Sequence, residues 1–226
     1  MRRRSGMLFH SNVPTICGAR WDGPIAKVGA GCEFANIHNA TTAYGNGTIP
    51  VLALVYPGTY SISSTAISGD IFIRGVGDPA TIQFLFSDTG VGLKITGKHL
   101  SVVENIKLKH SYNWRSCFSP TGATGFTPLF IANKCIIDGS STNLYPIRQE
   151  GNNPNLILRN IYLSRGYAHI FNYDLSKIRM QRCHLNNTLY TYNCTNSLAE
   201  SDYVTASTIG YGPNYGEYFI SGVDSL

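Results

Sequence analysis

Charge is scarce in this chain. Only 14% of its 226 residues are Asp, Glu, Lys or Arg, and the acids number 13. A helical protein keeps its exposed faces rich in Lys and Glu, so this scarcity points away from an α-helical fold. The six cysteines (Cys17, Cys32, Cys117, Cys135, Cys183 and Cys194) form no C-x-x-C pair, and His184 beside Cys183 has no second ligand pair at useful spacing. That pattern excludes a zinc site and reads as thiols used as small apolar fillers. No apolar run approaches the length of a membrane span, and "MRRRSGMLFHSNVP" has a basic start with no apolar stretch behind it. Neither a membrane partner nor a secretory signal is expected. No Ser stands in a nucleophile elbow, and "GVGDPA" and "GATG" lack the Lys-Ser/Thr of a phosphate loop. No cofactor or metal is expected. Three of the charges behind the net +5 sit in Arg2, Arg3 and Arg4, which leaves the rest near neutral. A nucleic-acid binder shows a wider basic patch, so that partner is not expected either.

What the chain has is glycine, 23 residues of it, and short apolar alternations that repeat. "DIFIRGVGD" (70–78), "LSVVENIKLKHS" (100–111), "LFIANKCIIDGS" (129–140), "NLILRNIYLSRG" (155–166) and "SKIRMQRCHLNN" (176–187) share one layout. Two apolar residues at period two lead to a single punctuating residue, then a second short alternation follows. The punctuating residues are Gly75, Asn105, Asn133, Asn160 and Arg182. Repeats of this length signal a solenoid. Alternation sends every second side chain inward. The residues expected inside include Leu100 and Val102, Leu129 and Ile131, Leu156 and Leu158, and Ile178 and Met180. A bend between two strands of one coil favours a left-handed backbone, which Gly and Asn tolerate best. Stacking would then align Asn105, Asn133 and Asn160 in an amide ladder.

The pattern predicts an all-β, right-handed parallel β-helix, a single-stranded solenoid; a β-sandwich is the runner-up. The helix is preferred because two-residue Asn-Gly hairpin turns are missing between the repeats. In "CEFANIHNATTAYGNG", Phe34, Ile37, Thr41 and Tyr44 recur at helical spacing, and the Gly-rich stretch ends the run. This predicts an N-terminal cap helix over the open end of the stack. The expected organisation is an N-terminal arm at 1–29, the capped β-helix at 30–197 and a Tyr/Gly-rich C-terminal assembly segment at 198–226.

"FANIHNATTAYGNGTIPVLALVYPGTYSI" and "ISGDIFIRGVGDPATIQF" resemble the opening of the pectin-lyase-like superfamily, in which pectin methylesterases and phage tailspikes share the order cap helix, first strand, Pro-Gly-x-Tyr turn and "I-x-G-x-G-x-x-x-T-I". The resemblance implies the fold, but a fold that hosts many functions cannot fix one. The family's esterases follow the turn with Glu and carry paired Asp residues; here Ser61 follows Tyr60, and no such pairs occur. Glycosidases need two or three carboxylates on adjacent coils. No catalytic residue is therefore expected.

The remaining expectation is structural. The similarity to tailspikes implies a non-catalytic virion protein, a bacteriophage capsid decoration (cement) protein on the capsid surface, stabilising the shell as a homotrimer. Its partners would be copies of itself and the major capsid protein or another virion protein. The assembly residues expected are Arg2, Arg3, Arg4, Phe9 and Trp21 in the N-terminal arm, and Tyr203, Tyr211, Tyr215, Tyr218 and Phe219 in the tail, where Tyr offers rigid contact area with a polar tip. The alternative is a tailspike-like protein that binds or degrades polysaccharide, with a surface glycan lying in a groove at Trp114, Arg115, Arg148, Glu150 and Asp174.

Overall fold

The computed structural model describes residues 15–16, 19–45, 48–63, 65–112, 115–139, 145–149, 154–172, 177–194, 198–206 and 217–225; for 15–16, 19, 65, 165–172, 185–194, 198–206 and 217–225 only the backbone is described. Strands stack in parallel into three walls. The first wall runs through Ile25–Val28, Val51–Val55, Ile71–Gly75, Leu100–Glu104, Leu129–Asn133, Asn155–Arg159 and Lys177–Gln181. The second runs through Gly58–Ile62, Ile82–Phe86, Lys107–His110, Ile136–Gly139 and the long strand Tyr162–Asn172. The third runs through Thr65–Ser68, Leu93–Gly97, Phe118–Gly122 and Ile147–Gln149. This is a right-handed parallel β-helix. Parallel pairing throughout these walls overturns the β-sandwich alternative.

The core is a set of ladders in which one residue per rung points inward. On the first wall Ala53, Ile73, Val103, Ala132, Leu158 and Met180 stand in register. All six are at most 1% exposed. On the second wall Tyr60, Phe84, Leu108, Ile137 and Leu163 do the same. Fully burying each aliphatic or aromatic side chain is worth about 1.5–3 kcal/mol. The ladders are therefore what holds successive coils together.

The open end is closed by α1, Ile37–Ala43. Asn36 caps it by accepting a hydrogen bond from the Asn39 backbone N–H at 2.9 Å, satisfying one of the unpaired donors of the first turn. Ile37, Ala40 and Thr41 are buried, and Phe34 and Tyr44 pack on the core at 6.3 Å from each other. The cap helix expected from the spacing of these residues is thus present.

Three expectations need correction. The first is the inward phase of two strands. In Leu100–Glu104 and Leu129–Asn133 the residues that join the central core are Val103 and Phe130 with Ala132, whereas Val102 and Ile131 lie in a separate apolar cluster on the outside of the wall, with Leu100 and Leu129 packed against it. Both faces of these strands are apolar, so alternation alone did not fix the phase. The second is the bend. The left-handed residues are Asn105 (φ 59°), Lys134 (φ 52°), Asn160 (φ 52°) and Arg182 (φ 52°), so Lys134 and not Asn133 occupies the third bend. Gly75, whose φ is not positive, answers a different need: a Cβ there would meet the Asn105 carbonyl oxygen at 2.0 Å. The third is the boundaries. Ile25–Val28, inside the expected arm, is the first strand of the stack and sends Ala26 and Val28 into the core. Leu198–Ala206 and Glu217–Ser225, inside the expected assembly segment, pair in parallel beneath Lys177–Gln181 and extend the same wall.

Candidate functional site

Five acids of the solenoid body, Asp70, Asp78, Asp88, Glu104 and Asp138, have hydrogen-bond partners within the chain. Asp70 Oδ1 accepts the backbone N–H groups of Lys98 and His99 at 2.8 and 3.0 Å. Asp78 caps a 3-10 turn through the Ala80 N–H at 2.8 Å, and Asp88 accepts the Gly90 N–H at 3.1 Å. Asp138 Oδ1 accepts the Ser164 hydroxyl at 2.9 Å. Glu104 is held most fully. Its Oε2 pairs with Arg74 Nη2 at 2.7 Å and Nε at 2.8 Å, and its Oε1 accepts Asn133 Nδ2 at 2.8 Å. Asn160 Nδ2 then donates to Asn133 Oδ1 at 3.0 Å. An amide ladder does exist, but it begins on a salt bridge and passes through Asn133 from outside the bend. Among the described residues no three His, Cys, Asp or Glu side chains gather as a metal site.

The polar ladder runs beside an apolar one. Leu52, Phe72, Val102, Ile131 and Ile157 stand in register on the outside of the first wall, one per rung. Arg179 continues the column on the next rung. Leu54, Leu100 and Leu129 flank it, part-buried. Trp21 covers its upper end, with its ring 4.6 Å from that of Phe72 and its indole N–H donated to the Pro24 carbonyl at 3.1 Å. Beside it lies an apolar groove of about 460 Å³ between Trp21, Pro24, Ile49, Pro50, Phe72 and Leu100. Trp21, singled out from the sequence for assembly, therefore belongs to an outward apolar surface. Val102 and Ile131, with Leu100 and Leu129 beside them, escaped sequence reading because they were assigned to the interior.

Of the other expected assembly residues, Arg2, Arg3, Arg4, Phe9, Tyr211 and Tyr215 lie outside the described residues, and Tyr203, Tyr218 and Phe219 lie on backbone-only strands. In the alternative groove, Trp114, Glu150 and Asp174 lie outside the described residues. Arg115 and Arg148 are described and partly exposed. Arg148 follows Ile147, which pairs with Phe118, so it stands one rung from Ser119 on the outer side of the third wall. Arg115 sits at the corner before that strand, close enough to lower the pKa of His110.

His110 is fully buried and stacks on Phe86 at 6.0 Å. Its Nδ1 accepts the Tyr112 backbone N–H at 3.1 Å, which leaves the proton on Nε2, donated to the Gly90 carbonyl at 3.0 Å. Burial pushes its pKa down; the Gly90 carbonyl and Asp88 oppose that shift, and Arg115 adds to it. Such an imidazole holds a corner together. Burial likewise pushes the Cys135 thiol up to about 12 and the Cys183 thiol up to about 11, so neither is a nucleophile at neutral pH.

No protein-family model matches the chain, and no curated protein matches it in sequence. Solved structures do match in fold. A pectin methylesterase from Aspergillus niger superposes with a TM-score of 0.55 at 11% identity, over 92% of this chain and 87% of that one. The Escherichia coli protein YbhC superposes with a TM-score of 0.60 at 11% identity, over 94% of this chain and 74% of that one. A rice weevil pectin methyl esterase gives 0.55 at 9% identity, over 94% and 90%. At these identities the likeness establishes the fold alone, a parallel β-helix.

Proposed function

We propose that this β-helix is a non-catalytic structural protein of a virion, a bacteriophage capsid decoration protein that stabilises the shell as a homotrimer. The observation that carries the assembly reading is the outward ladder Leu52, Phe72, Val102, Ile131 and Ile157, continued above by Trp21. Leu52, Val102 and Ile131 in this cluster are buried at 1, 3 and 8% exposure, and the part-exposed Trp21, Phe72, Leu100, Leu129 and Ile157 around them offer apolar area to a neighbouring chain. The non-catalytic reading is supported by the engagement of Asp70, Asp78, Asp88, Glu104 and Asp138 in structural hydrogen bonds. Acid–base or nucleophilic work on a glycan needs two carboxylates facing one cleft. Arg2, Arg3 and Arg4 and the Tyr-rich tail would add contacts to neighbouring chains, with arginine forks fixing orientation on carboxylates.

Native mass measurement of the full chain tests this. A trimer, reduced to monomer by Phe72→Glu and able to bind phage shells, is the expected result. A monomer at micromolar concentration would refute the homotrimer. Release of methanol, reducing ends or unsaturated sugars from a polysaccharide, abolished by one Asp or Glu substitution, would refute the non-catalytic reading.

A further inference from the structure

Folded proteins leave few buried polar atoms unpaired, and each exception calls for a bound molecule or a physical reason. Among the described residues these exceptions are not scattered. Arg115 Nε, Ser116 Oγ, Ser119 Oγ and Thr121 Oγ1 are all buried without a hydrogen-bond partner, within seven consecutive positions. Gln149 Oε1 is also unpaired. It is fully buried on the inward phase of its strand and belongs to the core.

The register shows what the others share. Phe118 pairs with Leu93, Ser119 with Lys94, and Thr121 with Thr96. Leu93 and Ile95 point into the core, so Lys94, Ser119 and Thr121 take the outer phase of the third wall. Neighbouring rungs are about 4.8 Å apart, and same-face residues two apart on a strand are about 6.6 Å apart. Ser119 thus has a lysine one rung above it, a threonine beside it and Arg148 one rung below. Its own exposure is 1%, while Lys94, Thr121, Arg115 and Arg148 are part-exposed. The result is a buried hydroxyl floor within a basic, solvent-reached rim.

We infer that this outer patch of the third wall, Ser119 and Thr121 between Lys94 and Arg148 with Arg115 and Ser116 at its corner, binds an oxyanion: a carboxylate, sulfate or phosphate group. The orphaned atoms here are an N–H and three hydroxyls that can all donate, and the flanking charges are positive. The chemistry that satisfies them is an acceptor with several oxygens and negative charge. The positive charge of Lys94 and Arg115 favours a charged acceptor over a neutral one. This inference does not depend on the assembly reading; a decoration protein and a glycan binder could each carry such a site.

The test uses the full chain and thermal unfolding in sulfate, phosphate, acetate and glucuronate, each against sodium chloride at equal ionic strength. The first three are free anions; glucuronate carries the carboxylate on a sugar. At least one is expected to raise Tm saturably. Thr121→Val, at a part-exposed position, and Ser119→Ala should each weaken that response by about tenfold or more, equivalent to about 1.4 kcal/mol of binding. Without anion, both variants should unfold at or above the parent Tm, because each removes an unsatisfied buried hydroxyl. A purely structural role would instead lower their Tm. If none of the four exceeds the chloride control, or if the response survives in Thr121→Val, the groups are satisfied by ordered water and the site does not exist.

Discussion

Truncating Leu158 and truncating Ile131 should cost different amounts, although both are large aliphatic residues on neighbouring rungs of one wall. Leu158 is fully buried, stands between Ala132 and Met180, and faces the central core. Leu158→Ala leaves a closed void there, and Ala132 above it is too small to fill the space. The loss combines transfer and cavity terms and falls at about 2–5 kcal/mol. Ile131 is 8% exposed and faces the opposite way, with Val102 and Ile157 as its ladder neighbours. A void at its position opens outward, so water or its neighbours can fill it and the cavity term falls away. The transfer term alone, three carbons at about 0.8 kcal/mol each with 8% exposure, gives about 2 kcal/mol, the low end of the range for Leu158. Urea unfolding followed by far-UV circular dichroism, at unchanged m, would read the difference as a midpoint shift. Equal losses, or a larger loss at Ile131, would mean that Ile131 points inward and that the outward ladder is misassigned. The comparison uses monomeric protein, because assembly would add its own contribution at Ile131.

Gly75→Ala should abolish or strongly impair folding: the added Cβ would stand 2.0 Å from the Asn105 carbonyl oxygen and 2.8 Å from Ile82 Cδ1, so backbone must move; soluble yield and Tm near those of the parent would refute this. The depressed pKa of His110 means that the unfolded chain binds its proton first. Its contribution to stability is therefore complete above the unfolded value near 6.5 and lost as pH falls through the lower folded value. Tm should drop between pH 7.5 and 5 more steeply in the parent than in His110→Gln, and parallel curves would count against the buried neutral imidazole. Cys117, Cys135 and Cys183 should resist maleimide in the native protein, since burial raises all three thiols, and should label fully in urea; rapid native labelling at any of them, read by peptide mass, would contradict the core packing.

The fold was legible because its signal is redundant. Five copies of one layout, each with two alternations around a punctuating residue, fix coil length and sheet type together. The cap helix was legible from Phe34, Ile37 and Tyr44 because one helical face must cover the stack. Single-residue assignments were less secure. At the third bend the sequence offers Asn133 and Lys134 side by side, and Asn is the better left-handed former. The structure gives that conformation to Lys134. Asn133 is instead aligned with Glu104 above it, where its amide bridges Glu104 and Asn160. A contact between rungs outweighed a local preference, and no reading of one rung could reveal it. The oxyanion patch was only half visible for the same reason. Arg115 and Arg148 stood out by charge, whereas Ser119 and Thr121 acquire meaning only from the register that places them between Lys94 and Arg148.

The error in strand phase and the proposed contact surface have one cause. A strand with one wet face reads as apolar alternating with polar, and its inward residues can be named from sequence. In "LSVVE" and "LFIAN" the outward positions Leu100, Val102, Leu129 and Ile131 are larger than several inward ones, which include Ser101 and Ala132. Choosing the larger set as core is the natural reading, and here it selects the wrong face. Ser101 shows why the smaller set is tolerated inside: its hydroxyl accepts the Ile71 backbone N–H at 3.2 Å, so the polar atom is satisfied within the wall. The outer set packs as a second cluster, in which Val102 and Ile131 are buried and Leu100 and Leu129 stay part-exposed. On the next rungs Leu156, Leu158, Ile178 and Met180 point in, while only Ile157 is apolar on the outside and Lys177 and Arg179 follow it, so ordinary alternation returns. The outward apolar column runs from Ile25 through Leu52, Phe72, Val102, Ile131 and Ile157 and ends at Arg179. Its part-exposed members, beside the bonded ladder of Arg74, Glu104, Asn133 and Asn160, are the surface on which the assembly proposal rests.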